Sequence, residues 1–302
     1  MRYLIFLFVL SPLFARNVSV ATWNMQTFFD ARTQGAEYSD FKGERWSEDA
    51  YKARVLKAAA ALKKIGSDVI VLEEVENEGV LFDLYNELCT GFSWKKPYKY
   101  ACFEKEEGAS IGVALLSRYE ILSVRCHSVD VRPFGSRRST RPILESRVKI
   151  KNDCVTVFSN HWKSRLGGGN VVRAVQERAL ALSLGRCIRE GERVIACGDF
   201  NSDISEFSSL ENAVCLRSYG EKATKMHSVW LSFPEVESGS YCFRGKWERI
   251  DHIFFSPDIE SLSFCVFDSS PFVNDKGEID RYSVFSGKGL SDHLPLCALF
   301  KI

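Results

Sequence analysis

Carboxylate, amide and imidazole side chains stand beside apolar, strand-like runs at several places in this chain. In VIACGDFNSD (194–203) an apolar run ends at Gly198, and Asp199 and Asn201 follow it. A lone Asp after a strand is usually a turn former. Five further clusters weaken that explanation, because charged groups at a buried sheet edge cost stability unless they bind or react. Those clusters contain Asn24, Glu73-Glu74, Asn160-His161, Asp251 and Ser291-Asp292-His293.

These residue types indicate a particular chemistry. Carboxylates and carboxamides without a cysteine partner form a hard oxygen site, which suits Mg²⁺, Mn²⁺ or Ca²⁺ and is poor for zinc. Two histidines, each beside an Asp or Asn, supply groups that donate to a phosphate oxygen. Together they predict metal-assisted hydrolysis of a phosphate ester. The chain has no G-x-x-x-x-G-K loop, so a P-loop phosphoryl transferase is not supported.

The elements that must position these side chains alternate between strands and helices, without a linker or repeat. Strands are predicted over 18–24, 68–77, 111–117, 143–150, 153–160, 193–198, 249–257 and 291–302, and helices over 47–66 and 171–189. Ser47 is the expected N-cap of the first helix, and Gly66 is its expected left-handed C-terminal residue. Mixed strands and amphipathic helices in one unbroken chain predict a single α/β domain with helices outside packed sheets.

Six short segments then point to a family. TWNMQ, LEEVEN, NHWKS, GDFNSD, RIDHI and SDHLP, in this order, resemble the endonuclease/exonuclease/phosphatase superfamily, to which deoxyribonuclease I and exonuclease III belong. The resemblance spans about residues 18–302. It implies a four-layer α/β/β/α sandwich of two mixed β-sheets flanked by helices. It also implies a catalytic Mg²⁺ or Mn²⁺, with Ca²⁺ as an alternative structural ion.

The resemblance implies a metal-binding pair, Asn24 and Glu74, with Asp292 completing the surroundings of the cation. The residue before the metal-binding Glu is often Gln in the family, and here it is Glu73. Adjacent strand residues face opposite sides, so we expect the Glu73 side chain to point away from the cation.

The resemblance implies a role for five catalytic residues. Asp199 activates or orients the attacking water, and Asn201 holds a phosphate oxygen. His293 contacts the scissile phosphate and is oriented by Asp251, while His161 is a second phosphate-contacting histidine. Deoxyribonuclease I orients its second histidine with a carboxylate, for which this sequence has no clear counterpart. We expect the neighbouring His252 to be structural.

Two basic segments are candidates for substrate binding. NHWKSRLGGGNVVRAVQERALAL resembles secreted bacterial nucleases and places Lys163, Arg165 and Arg173 near His161. RPFGSRRSTRP (132–142) carries Arg141 close to the start of a predicted core strand. Local cations in a protein of net charge +1 are typical of phosphodiester backbone binding. A basic loop alone is equally typical of a solvated surface, and packing is favoured over base stacking for Tyr241, Phe243 and Trp247.

The sequence therefore predicts a metal-dependent phosphodiesterase with a nucleic-acid substrate, most simply a low-specificity endonuclease on DNA or RNA. The alternative on the same scaffold is a hydrolase of inositol phosphates or of phospholipid, as in sphingomyelinases. A catalytically silent binding protein is disfavoured because every motif residue is present. No obligate protein partner is evident, and a monomer is expected.

The first fifteen residues, MRYLIFLFVLSPLFA, are typical of a secretory signal, with an opening β-strand or a retained anchor as alternatives. A secreted or periplasmic protein with a single domain over 16–302 and no stable membrane span is expected. Ten cysteines fit export only partly, because several lie in apolar runs and none forms a C-x-x-C pair. One or two disulfides are compatible with the sequence, which does not specify their pairing.

Overall fold

Two mixed β-sheets pack face to face and carry helices on their outer sides in the computed structural model, which confirms the predicted fold class. The predicted signal segment lies outside the described residues. These are 17–33, 36–43, 45–90, 97–132, 140–165, 169–210, 213–218 and 222–302. Within them, no helix is long and apolar enough to cross a membrane.

Sixteen strands and four helices are assigned in the described part of the chain. The strands are β1 Asn17–Phe28, β2 Val69–Val75, β3 Tyr100–Glu104, β4 Gly112–Ser117, β5 Glu120–Val129, β6 Thr140–Ile150, β7 Asp153–His161, β8 Arg193–Asp199, β9 Ser209–Leu210, β10 Ala213–Leu216, β11 Thr224–Ser228, β12 Tyr241–Phe243, β13 Lys246–Glu248, β14 Asp251–Phe255, β15 Glu260–Val266 and β16 Leu296–Lys301. The helices are α1 Glu48–Ile65, α2 Glu78–Cys89, α3 Asn170–Arg189 and the single turn α4 Val229–Ser232. Short 3₁₀ turns cover Ser39–Phe41 and Ile204–Glu206.

The strand order brings the chain's two halves together. One sheet runs β15-β16-β1-β2-β4-β3 and the other β5-β6-β7-β8-β14-β11-β10-β9, while β12 and β13 form a separate hairpin. The pairs β1–β2 and β7–β8 are parallel and the other named pairs are antiparallel. The central strands β1, β2, β7 and β8 face each other across the core, so their ends meet at one edge of the sandwich.

Helix α1 shows how the sequence determines these elements. The Ser47 hydroxyl accepts a hydrogen bond from the Ala50 N–H (3.2 Å), and Gly66 ends the helix at φ 63°. Both caps are therefore as predicted. The apolar residues of its inner face are buried and pack into the same core as β1 and β2; they are Tyr51, Val55, Ala58, Leu62 and Ile65.

Gly198 is required by the close approach of two parallel strands. It pairs with Asn160 across β7 and β8 and has φ 141°. A Cβ at this position would lie 1.9 Å from the Asn160 carbonyl oxygen, so no other residue fits without moving the strand. The break in VIACGDFNSD therefore lets β8 lie tightly against β7 just before Asp199.

The structure corrects some predicted boundaries. The last strand begins at Leu296 instead of 291, because Ser291 to Pro295 form the loop that reaches β1. Strand β1 extends four residues beyond the predicted end, to Phe28. The prediction missed α2 and several strands. Of those strands, β5 alternates weakly because most of its side chains are exposed, and the hairpin strands have only three residues each.

Candidate active site

The backbone register brings three predicted residues into one row. His161 on β7 pairs with Asp199 on β8, and Asp199 pairs with Asp251 on β14. Directly opposed residues of adjacent strands project from the same face of a sheet. All three side chains are buried at the end of the eight-stranded sheet, where they meet residues from β1, β2 and the loop before β16.

His293 and Asp251 form a buried pair within this cluster. His293 Nδ1 lies 2.8 Å from Asp251 Oδ2, and its Nε2 lies 3.9 Å from Asp199 Oδ2. Burial acts to lower the pKa of His293. The charge and hydrogen bond of Asp251, followed by the charges of Asp199 and Asp292, outweigh burial and raise that pKa well above its ordinary value. The fold therefore holds His293 as an imidazolium with Nε2 facing Asp199.

The loop carrying His293 is fixed to the end of β1. The Ser291 hydroxyl donates to the Asn24 carbonyl (2.5 Å) and accepts from the His293 N–H (3.1 Å). The Trp23 indole donates to the His293 carbonyl (3.0 Å). The SDH segment thus has its position set by the first strand, although about 270 residues separate them in sequence.

Asp199 is held by two amides. The Asn201 backbone N–H donates to Oδ1 (2.8 Å), and the Asn24 side chain donates to Oδ2 (3.0 Å). Burial, followed by repulsion from Asp251, raises the pKa of Asp199 to about 7, and His293 and the two amides oppose that rise. A carboxylate with a pKa near neutrality is suited to accept a proton from water.

Asn201 and His161 lie on either side of Asp199. Asn201 has φ 49°, and its side chain donates to the Trp162 carbonyl (3.1 Å). His161 Nε2 lies 3.7 Å from Asp199 Oδ2 and 3.7 Å from Glu74 Oε1. Its Nδ1 has no hydrogen-bond partner among the described residues. Burial, with help from Arg141 and His293, lowers the pKa of His161 well below its ordinary value, so this imidazole is neutral.

Glu74 and Asn24 stand where a cation would need oxygen ligands. Glu74 has φ 63° at an irregularity in the β1–β2 pairing, which turns its carboxylate toward the cluster. Its Oε2 accepts from the Thr27 N–H (2.6 Å), and its Oε1 lies 3.4 Å from Asn24 Nδ2. The Asn24 Oδ1 accepts from the Gln26 N–H (2.9 Å). A carboxylate and a carboxamide are residue types that bind a hard divalent cation, and here the Asn24 amide turns its Nδ2 toward Glu74, so its oxygen would have to turn to reach a cation there.

Arg54, which the sequence prediction missed, fixes this corner. Its guanidinium donates to the carbonyls of Met25 (2.9 Å), Gln26 (2.5 Å) and Thr27 (2.9 Å), and it stacks 3.8 Å from the Tyr282 ring centroid. Gln26 and Thr27 both have positive φ, which the three carbonyl contacts stabilise. The only sequence signal was a cation on the apolar face of α1, three residues after Tyr51.

Asp292 contributes charge to the same corner. The charge of Asp292 raises the pKa of His293. The charges of Asp292 and Glu74 both act to raise the pKa of Arg54, so both carboxylates lie near its guanidinium. The oxygen and nitrogen atoms of Asp199, Asp251 and His293 also lie within 4.8 Å of one another. Because Asp251 Oδ2 is already bonded to His293 Nδ1, hydrogen bonding accounts for that triad, and Glu74 with Asn24 is the better cation site.

Glu73 and Glu74 have separate partners. Glu73 is completely buried, and its Oε1 accepts from the Thr22 hydroxyl (2.7 Å), while its Oε2 has no partner among the described residues. Burial raises the pKa of Glu73 well above its ordinary value, with Thr22 opposing and Asp251 adding to the rise. Glu73 is therefore a neutral acid beneath the site and adds no charge to a cation.

Arg141 and Lys163 are the predicted cations that line an open cavity, here called the cleft, and Arg141 lies near enough to His161 to act on its pKa. Arg141 donates to the Trp162 carbonyl (2.8 Å), and with Lys163 it lines a cavity of about 640 Å³. Tyr38 was not anticipated from the sequence. Its hydroxyl is hydrogen-bonded to Arg141 and lies near Glu74, and burial followed by Glu74 raises its pKa. No motif marked this tyrosine, because only the fold of the 36–43 loop brings it to the site.

Arg165 and Arg173 were expected to bind substrate, but both side chains are bonded to other groups of the protein. Arg165 bonds to Glu248 (2.9 Å), to Glu206 (2.8 Å) and to the Asn201 carbonyl (3.1 Å). Arg173 is buried and donates to Asn170 (2.5 Å) and to the Lys163 carbonyl (3.3 Å). Both guanidinium groups therefore fix the loops around the site. The run 133–139 of the second basic segment lies outside the described residues.

The remaining aromatic and histidine side chains divide by burial. The Tyr241 ring packs 4.7 Å from His293, whereas Phe243 and Trp247 on the β12–β13 hairpin are 48% and 41% exposed. Packing therefore explains the position of the Tyr241 ring but not the positions of Phe243 and Trp247. His252 is buried, with Nε2 2.8 Å from the Ser202 carbonyl, in agreement with the expected structural position.

Residues 108–112, GASIG, match the G-x-S-x-G pattern that is typical of serine hydrolases. The nucleophile of those enzymes sits on a turn between a strand and a helix. Ser110 instead lies directly before β4, and its hydroxyl donates to the Ala36 carbonyl. The segment therefore gives no support to a serine nucleophile.

The family model described as Endonuclease/Exonuclease/phosphatase family matches residues 19–300, and the chain belongs to this family. The match covers all six motifs from which the resemblance was inferred. No curated protein matches the chain by sequence.

Solved structures of low sequence identity share the fold. TDP2 from Caenorhabditis elegans aligns with a TM-score of 0.64 and 16% identity, covering 95% of this chain and 75% of that one. An endonuclease/exonuclease/phosphatase from Bacteroides vulgatus gives 0.58 and 18%, covering 95% and 99%. Danio rerio TDP2 complexed with single strand DNA product gives 0.61 and 15%, covering 95% and 99%. These similarities establish the four-layer architecture.

Proposed function

We propose that this protein is a divalent-metal-dependent phosphodiesterase that hydrolyses the backbone of nucleic acid as an endonuclease of low sequence specificity. The observation that carries the proposal is the buried row of His161, Asp199 and Asp251, completed by His293 and facing Glu74. Several ionisable side chains buried side by side are expected at a reaction centre, where their pKa values are shifted to suit the reaction. The DNA-bound structure of the Danio rerio TDP2 supports the choice of nucleic acid.

The residues divide the work of an in-line displacement. Asp199 accepts a proton from, or orients, the attacking water, since its pKa is close to neutrality. The imidazolium of His293 and the amide of Asn201 donate to phosphate oxygens as negative charge develops on them. Asp251 keeps His293 charged and correctly turned. The neutral His161 offers a further donor through Nε2, and Arg141 supplies charge at the cleft wall.

A divalent cation would be held by Glu74 and Asn24, with Asp292 nearby, and Mg²⁺ or Mn²⁺ suits this oxygen donor set. When bound, such a cation supplies positive charge to the phosphate and the leaving oxygen. Arg54 and the Thr27 N–H keep the Glu74 carboxylate in position for it.

The test uses protein lacking residues 1–15 with supercoiled plasmid, single-stranded DNA and RNA, in Mg²⁺ or Mn²⁺. We expect plasmid nicking that EDTA abolishes and that His293→Ala reduces by about 10³-fold. Survival of all three nucleic acids in the presence of metal would overturn the proposal. Release of phosphate from inositol phosphates, or of phosphocholine from sphingomyelin, would then identify the alternative substrate class.

Export to the periplasm or medium and a monomeric state remain part of the proposal. Cell fractionation with and without residues 1–15, and the mass measured by light scattering, test them separately from the chemistry.

A further inference from the structure

A second cavity, of about 740 Å³, lies beside the proposed metal site and has no role in the chemistry above. Its walls include Gln26 and Thr27 at the end of β1, Arg45, and residues 282–285. The Thr27 N–H that contacts Glu74 belongs to this wall, so the cavity begins one residue from the proposed metal ligand. The cavity and the proposed metal site therefore share Thr27.

Phe285 is the distinctive residue of this cavity. Its side chain is 75% exposed, more than any other large apolar side chain in the described part of the molecule. The Arg45 guanidinium carbon lies 4.4 Å from the centroid of its ring. A single exposed apolar side chain is ordinary. An aromatic ring paired with a planar cation is, however, the combination on which unpaired nucleobases stack.

The loop carrying Phe285 is anchored to the catalytic centre. The Gln26 side chain donates to the Tyr282 carbonyl (3.0 Å) and accepts from the Tyr282 N–H (2.9 Å). On the far side, Lys57 Nζ donates to the Gly287 carbonyl (2.5 Å). These contacts set the position of Phe285 relative to Glu74 and Asn24, as a subsite for a neighbouring nucleotide requires.

We propose that Phe285 and Arg45 form a subsite that stacks an unpaired nucleobase of the strand whose phosphodiester lies at Asp199 and His293. This inference rests on the proposed function and deepens it, because it names single-stranded nucleic acid as the preferred substrate. A base within a duplex is already stacked and paired, so reaching Phe285 requires it to be unstacked first. Asp40 also lines the cavity, so its walls carry one acidic and one basic side chain.

The experiment compares binding of two fluorescent 12-mers in EDTA, so that no hydrolysis occurs. One is oligothymidylate, and the other is an abasic 12-mer with the same phosphates and no bases. We expect wild-type protein to prefer the base-containing strand by roughly 10-fold, a preference that Phe285→Ala abolishes and Phe285→Tyr retains. The control is Phe82→Ala, which removes another exposed phenylalanine, 62% accessible, on α2. It should leave the preference unchanged.

Equal binding of the two strands by wild-type protein would overturn the subsite, and so would an unchanged preference in Phe285→Ala. Hydrolysis of bis(p-nitrophenyl) phosphate, which has no base, separates this inference from the proposed function. Normal hydrolysis by Phe285→Ala with loss of the base preference supports both. If wild-type protein hydrolyses no phosphodiester but Phe285→Ala still loses the preference, the proposed function fails and the base-binding subsite stands.

Discussion

His161, Asp199 and Asp251 come from three adjacent strands, whereas Arg165 and Arg173 come from the segment between two of those strands. The first group is fixed by backbone register and remains turned toward a common centre. The guanidinium groups of Arg165 and Arg173 instead donate hydrogen bonds to carboxylates and carbonyls of the surrounding loops. Functional side chains at strand ends can therefore be located from the sequence, whereas the partners of loop cations depend on the fold.

Asp251→Asn should have the largest effect on the strand-end group. The substitution removes the charge that keeps the pKa of His293 high, and burial then lowers that pKa. We expect kcat to fall by about 10³-fold, and the loss of activity at alkaline pH to move to lower pH. A full pH profile checks both. Asp258→Asn, in the turn that follows β14, is the matched control, and equal profiles for the two variants would contradict the assignment.

His252 next to Asp251 should affect stability instead of chemistry. Burial lowers its pKa to about 4 from an ordinary value of 6.5, so the folded protein holds it neutral. Its stabilising contribution is complete above pH 6.5 and is lost as pH falls toward 4, which amounts to about 3 kcal/mol. Urea unfolding at pH 7.5 and 4.5 should show this loss relative to His252→Gln. A difference between the two proteins that does not change with pH would refute it.

Arg54→Met should weaken cation binding at the proposed site of Glu74 and Asn24. Without the guanidinium, the carbonyls of residues 25–27 lose their donors, and the Thr27 N–H no longer holds Glu74. We expect the Mg²⁺ concentration for half-maximal activity to rise by about 10- to 100-fold. Arg118→Met is the control, since Arg118 also stacks on a tyrosine, Tyr98, but away from the site. A similar metal requirement in both variants would show that Arg54 has no positioning role.

Arg141→Ala should have the smallest effect of these substitutions. Arg141 faces the cleft, so its loss should raise KM for nucleic acid about 10-fold and reduce the salt dependence of binding by about one ion. Arg165 is already paired with two carboxylates, so Arg165→Ala should leave the salt dependence unchanged. Salt titrations of affinity distinguish them, and a reduced slope for Arg165→Ala would contradict the contact pattern.

Several parts of the fold could be predicted because they depend on local sequence. The caps of α1, the apolar runs of the central strands and the glycine before Asp199 each carry their own signal. The edge strands lack that signal, since an exposed strand such as β5 has no apolar face to alternate. Its pairing is decided by its neighbour.

The candidate site divides in the same way. Strand ends indicated where carboxylates and histidines converge, but Tyr38 reaches Arg141 only through the path of a loop. Arg54 is a cation on the buried face of α1. That pattern predicts a buried side chain but does not identify its partners. Among the residues that the structure describes, no group bonds to Nδ1 of His161, the histidine for which the sequence showed no clear orienting carboxylate.

The most direct test compares two aspartates of the segment GDFNSD, Asp199→Asn and Asp203→Asn, in one phosphodiester hydrolysis assay with Mg²⁺. Asp199 lies in the catalytic row, whereas Asp203 caps the turn at Ile204–Glu206 and bonds to the Arg249 N–H. We expect a loss of at least about 10³-fold in kcat for the first variant and less than about 3-fold for the second, with both proteins folded. Equal losses, or full activity in Asp199→Asn, would contradict the claim that this row carries the chemistry.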